Sequence, residues 1–108
     1  MSTPSEKESI IRLGTWLSIG SPVIAELASE CGFDWLLIDL EHGCATDAAL
    51  MPQLQASRGI RIVRVGAPHP DLVSRALDWG ADGIMFPHVS TVEAARQCVD
   101  TAHYPPHG

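Results

Sequence analysis

Four times in 108 residues a short apolar run gives way to a turn and then to a helical period, and that alternation leaves few folds open. Leu13 to Leu17 reads as a strand. Ser21-Pro22 then opens a helix through Cys31, with Val23, Ile24, Leu27 and Ala28 on one face and Gly32 as its stop. Trp35 to Asp39 is the second strand. Thr46 or Asp47 caps a helix that takes Pro52 in or near its first turn and reaches about Ser57. The β-branched stretch Ile60 to Val65 forms the third strand, and Pro70-Asp71 starts a helix through Trp79 that Gly80 closes. Gly83 to Phe86 is a short fourth strand. Ser90 or Thr91 caps a last helix running to about Ala102, with Glu93 placed as a capping-box partner.

Strands this apolar are buried on both faces, so the four βα units predict an α/β fold with a parallel sheet and right-handed crossovers. A (β/α)8 barrel needs eight such units and about 250 residues; this chain supplies four. Ile38, Ile62 and Ile84 or Met85 are expected to face the barrel interior. A flavodoxin-like sheet is the competitor, but Gly14 and Gly80-Ala-Asp-Gly83 match no phosphate-cradling pattern. Residues 1–10 read as a polar tail and residues 11–108 as the folded unit.

The net charge of −6, with six arginines and one lysine scattered along the chain, argues against nucleic acid or an anionic membrane as partner. Cys31, Cys44 and Cys98 are odd in number and lack C-x-x-C spacing, which argues against a disulfide framework or a thiolate zinc site. No apolar run reaches membrane-spanning length, and Met1 to Ser9 has no signal-peptide core. The expectation is a soluble protein of a reducing cytoplasm.

Chemistry is concentrated in Trp35-Leu-Leu-Ile-Asp39-Leu-Glu41-His42-Gly43, where an apolar strand runs into two carboxylates and a histidine. Asp and Glu are rarely buried without partners, and in parallel α/β proteins the loops after the strand ends form the pocket. Acidic neighbours pre-order one ring nitrogen of His42, as a general base requires. Arg64 shares a strand face with Ile62 and would direct a planar guanidinium to the same mouth, suited to a carboxylate or enolate oxygen or to an ion pair with Asp39 or Glu41. By residue type alone Trp16 reads as core. His88, at the tip of the fourth strand, is a second histidine able to face this mouth. His69, His103 and His107 fall in turns or helix ends, and Cys44 has no assigned role.

The chain resembles the HpcH/HpaI aldolase family, related to the citrate lyase β-subunit group. The resemblance rests on Gly14-Thr-Trp16, Gly32-Phe-Asp-Trp-Leu-Leu-Ile-Asp-Leu-Glu-His42, Val63-Arg-Val65, Ala76-Leu-Asp-Trp-Gly-Ala-Asp-Gly83, Phe86-Pro-His-Val89 and Tyr104-Pro-Pro-His-Gly108. It implies the N-terminal half of a (β/α)8 TIM barrel belonging to a metal-dependent aldolase that cleaves 4-hydroxy-2-oxo acids to pyruvate, or an analogue, and an aldehyde. On this resemblance His42 is the base, Asp39 its orienting partner and Arg64 the group that binds the pyruvate oxygens, with Trp16 and Glu41 lining the site. It implies a divalent ion (Mg2+, Mn2+ or Co2+) held by a Glu and an Asp of strands five and six, so no metal ligand is expected in this chain. It also implies a small-molecule 2-oxo acid as substrate and a homo-oligomer, a hexamer in many members.

Lys7, in the tail, is the sole lysine, so these four units hold no Schiff-base nucleophile. The alternatives are an acyl-CoA lyase or a decarboxylating carbon–carbon bond former on the same scaffold, or a non-catalytic half-barrel. A CoA enzyme would want a basic patch, which this sequence lacks. The isolated 108-residue chain is expected to be inactive.

Overall fold

The four apolar runs form one parallel sheet in the order β1 (Gly14–Leu17), β2 (Trp35–Asp39), β3 (Ile60–Arg64), β4 (Gly83–Met85). Helices α1 (Pro22–Glu30), α2 (Leu50–Ala56) and α3 (Pro70–Asp78) carry the chain back between strands, and α4 (Val92–Ala102) follows β4. The computed structural model describes residues 10–43 and 46–103. Expectations that fall on residues 1–9, on Cys44 and on the 104–108 turn lie outside these.

Strand parity divides the sheet into two faces. Leu17, Leu36, Ile38, Val63 and Val65 pack against Ala25, Leu50, Leu54, Val73 and Ala76 of the helices, and this is the core. The opposite face carries Trp16, Trp35, Leu37, Ile60, Ile62 and Met85 around an open hollow of about 370 Å3. Ile62 and, of the pair Ile84 or Met85, Met85 therefore face the barrel side, as expected, but Ile38 does not. Ile38 alternates with Leu37 and Asp39, so a one-residue difference in parity puts it among the helices.

The face of α1 differs from its sequence pattern. Ser21 caps it, its side chain accepting from the Ile24 N–H at 3.3 Å, with Pro22 in the first turn. That phase turns Ala25 and Ala28 inward and leaves Val23, Ile24 and Leu27 at the surface. In α4 the cap is Thr91, accepting from the Ala94 N–H at 3.0 Å. Glu93 then sits one position too early to close a capping box and acts only as a negative charge in the first turn. The helix toward Ser57 starts as a 3-10 turn, Asp47–Ala49, before α2 proper; Thr46 precedes it without a side-chain cap bond.

Two Gly-x-Asp segments staple the end of the sheet opposite the strand tips. Gly32 and Gly80 end α1 and α3 with φ of 87° and 112°, values that L side chains rarely adopt. Two residues later Asp34 accepts from the Leu13 N–H at 2.7 Å, and Asp82 from the Arg61 N–H at 2.8 Å. Arg61 lies on the helix side of β3 and donates to the carbonyls of Leu54 and Gly80 at 2.7 and 2.8 Å. It ties the end of α2 to the turn before β4.

Candidate active site

Asp39 and Arg64 are register partners at the carboxyl ends of β2 and β3. The guanidinium donates from Nε to Asp39 Oδ1 at 3.1 Å and from Nη2 to Oδ2 at 2.8 Å, a planar two-point pair. Oδ1 also accepts the backbone N–H groups of Glu41 at 2.9 Å and His42 at 3.2 Å, which turns the chain out of the strand. The Arg64 hydrogen bond, reinforced by those two N–H groups against the cost of burial, lowers the Asp39 pKa from 3.8 to about 2. The same contact raises the Arg64 pKa. Just beyond, Gly43 passes so close to β1 that a Cβ there would stand 2.6 Å from the Ser18 carbonyl oxygen.

Glu41 is the hub of the site. Its Oε1 lies 3.3 Å from Arg64 Nη1 and 3.1 Å from His42 Nε2, and its Oε2 lies 3.2 Å from His88 Nε2. The Glu41 side chain is 9% exposed, whereas the His42 and His88 rings are 67% and 80% exposed. One nearly buried carboxylate thus presents two imidazoles to solvent at the strand tips. The ring of His42 rests on Glu41, while Asp39 holds the His42 backbone. The oxygens of Asp39 face Arg64 and the turn N–H groups, and Glu41 is the carboxylate beside the His42 ring.

The Arg64 Cζ stands 4.6 Å from the Trp16 ring centroid, a cation–π contact. Trp16 is 46% exposed; it closes one side of the guanidinium and lines the apolar hollow. Of the five guanidinium N–H groups, one on Nε, one on Nη2 and one on Nη1 serve Asp39 and Glu41. One N–H on each terminal nitrogen has no partner among the described residues.

His69 is the N-cap of α3 and His103 the C-cap of α4, and neither contacts Asp39, Glu41 or Arg64 through a hydrogen bond or ion pair among the described residues. Cys31 is exposed and Cys98 buried, both as free thiols. His88, at the tip of β4, joins this cluster through Glu41. It is the one non-glycine residue with positive φ, 57°, among the described residues, and that conformation turns its ring back onto Glu41. No group of three or more His, Cys, Asp or Glu among the described residues is placed to hold a metal ion, and none of their helices is long and apolar enough to cross a membrane.

Parallel βα units with polar groups gathered at the carboxyl ends of the strands define part of a β/α-barrel enzyme scaffold. The HpcH/HpaI aldolase/citrate lyase family model matches residues 12–108, and the chain belongs to that family. It is 40% identical over 106 residues to a 4-hydroxy-2-oxovalerate aldolase of Novosphingobium aromaticivorans, covering 94% of this chain and 40% of that one. It is 37% identical over 101 residues to a 5-keto-4-deoxy-D-glucarate aldolase of Klebsiella pneumoniae, covering 91% and 40%. The crystal structure of a HpcH/HpaI aldolase/citrate lyase family protein from Burkholderia cenocepacia superposes with a TM-score of 0.78 at 37% identity, over 95% of this chain and 44% of that one. The chain thus spans about 40% of the length of the curated relatives it matches. Its sheet corresponds to the N-terminal part of their barrel.

Proposed function

We propose that the polypeptide carrying this chain is an aldolase that cleaves 4-hydroxy-2-oxo acids to pyruvate, or a close analogue, and an aldehyde. The observation that carries the proposal is Glu41 bridging His42 and Arg64 at the tips of β2 and β3. A carboxylate only accepts, so contact with Glu41 favours the proton on Nε2 of His42 and leaves the Nδ1 lone pair free as a base. The names of the two aldolases above support the same reaction class.

In this proposal His42 Nδ1 takes the proton of the 4-hydroxyl group. The O–H electron pair becomes the aldehyde carbonyl, the C3–C4 bond breaks, and its electrons form the enolate of the pyruvate half. The two remaining N–H groups of Arg64 meet the charge that grows on the 2-oxo oxygen. Solvent then protonates C3. Trp16 flanks the guanidinium and excludes water from one side.

The family resemblance implies a divalent cation, which would polarise the 2-oxo group as a Lewis acid. The described residues do not fit one: both oxygens of Asp39 and both of Glu41 already face Arg64, His42, His88 or backbone N–H groups. Its carboxylate ligands are proposed to come from elsewhere in the complete polypeptide. The test couples lactate dehydrogenase to the cleavage of 4-hydroxy-2-oxo acids by that polypeptide. Pyruvate release that His42→Ala abolishes is the expected result, and undiminished release by that variant overturns the assignment of the base.

A further inference from the structure

We propose that His88 is a positioning residue of this site: it holds Oε2 of Glu41 so that Oε1 stays on His42 and Arg64. The inference rests on the aldolase reading for its kinetic consequence but not for its geometry. Glu41 Oε1 faces two donors, Arg64 Nη1 at 3.3 Å and His42 Nε2 at 3.1 Å, and Oε2 faces only His88 Nε2 at 3.2 Å. Released from His88, the carboxylate is free to rotate and offer both oxygens to Arg64, whose planar fork favours two-point pairing. His42 then loses the acceptor that selects its tautomer.

The backbone supports a dedicated role. A histidine at φ 57° is in a sparsely populated conformation that glycine or asparagine enters more readily. Such a residue persists where its side chain is engaged, and the engagement here is Glu41. His88 follows Phe86-Pro87 at the end of β4, so it brings a third strand to a cluster otherwise built from β2 and β3.

Three substitutions in the complete polypeptide separate the side chain from the turn. His88→Gln places an amide N–H near the position of Nε2. His88→Asn and His88→Gly suit the positive φ but do not reach Glu41. The expected result is a kcat reduced roughly tenfold or more in His88→Asn and His88→Gly, with KM nearly unchanged and substantial rescue in His88→Gln, because a misaligned base costs turnover before binding. Full activity in His88→Gly overturns the proposal, since the turn alone would then suffice. Equal losses in all three with a raised KM also overturn it, because the ring would then bind substrate directly.

The 15N resonances of the His42 imidazole give a readout independent of turnover. Removing the His88 donor is expected to shift His42 from one tautomer toward a mixture, and His88→Gln to restore it. Should the wild type cleave no 4-hydroxy-2-oxo acid, the aldolase reading fails while this measurement still decides the role of His88. An unchanged His42 spectrum in His88→Gly sinks it.

Discussion

Asp39 and Arg64 occupy paired positions on adjacent parallel strands and are joined by hydrogen bonds of 2.8 and 3.1 Å, so the reactive end of the sheet is held by its own ladder register. With Glu41 beside Nη1, two guanidinium N–H groups have no partner among the described residues, and the Trp16 ring lies against the guanidinium. On the proposed reading the same guanidinium serves as a structural ion pair and as an oxyanion donor. Arg64→Lys keeps the charge but loses the fork, so it can serve Asp39 or the substrate but not both. Turnover is expected to fall about 10²–10³-fold, the usual cost of one oxyanion donor. Near-normal kinetics in Arg64→Lys would reduce Arg64 to a partner of Asp39.

The lowered pKa of Asp39 makes a pH prediction. In the unfolded chain the group titrates near 3.8 and in the folded chain near 2, so the native state favours its ionised form. The resulting stability is fully present above pH 4 and is lost as the pH falls through 2. Solvent at the open tip screens the pair, which leaves a contribution on the order of 1–2 kcal/mol. Urea unfolding of the wild type and Asp39→Asn across pH 2–6 measures it. The stability gap between them is expected to narrow below pH 4, and a gap independent of pH would mean that the carboxylate is not held as described.

Gly14 stands opposite Trp35 in the β1–β2 register, and a Cβ at that position would overlap the six-membered ring of Trp35. The indole lies across β1 only because residue 14 has no side chain. Gly14→Ala must push Trp35 toward Trp16 and the hollow, at a cost typical of overpacking, about 1–3 kcal/mol. A Gly14→Ala/Trp35→Leu double variant is expected to recover much of the loss. Additive losses in that pair would show that the two residues do not compete for the same space.

Much of this arrangement is legible in the sequence. The alternation of apolar runs with helical periods gives the parallel sheet, and an apolar strand ending in Asp39-Leu40-Glu41-His42 gives the candidate site. Arg61 and Arg64 show how far that reasoning reaches. They lie on one strand with opposite parity, and only contacts with Leu54 and Gly80 on one side, or Asp39 and Glu41 on the other, separate a structural tie from a site residue. Parity also decides Ile38, where a continuous apolar run gives no local sign of which residues face the helices. The division of labour between Asp39 and Glu41 depends on how a turn folds back. His88 reaches Glu41 through a backbone conformation that residue type does not announce. Such features arise from tertiary placement, and the amphipathic pattern is silent on them.

The open face of the sheet sets the behaviour of the 108-residue chain by itself. Trp16, Ile60 and Met85 are 46%, 45% and 38% exposed, and they surround an apolar hollow of about 370 Å3 on the side that a barrel fills with side chains. The outer edges of β1 and β4 pair with no further strand among the described residues, and unpaired edges beside an apolar face invite association. Expressed alone, residues 1–108 are expected to self-associate, to unfold at lower temperature than the complete polypeptide and to release no pyruvate from 4-hydroxy-2-oxo acids, with or without added Mn2+. Sedimentation, thermal unfolding and the coupled assay on one preparation check all three together. Replacing Trp35 and Ile60 by Thr and Lys should shift the sedimentation profile toward monomer, because both side chains line the hollow and neither belongs to the core beneath the helices. A monomer that unfolds cooperatively and cleaves substrate would show instead that His42, Glu41, Arg64 and His88 form a sufficient site within these four βα units.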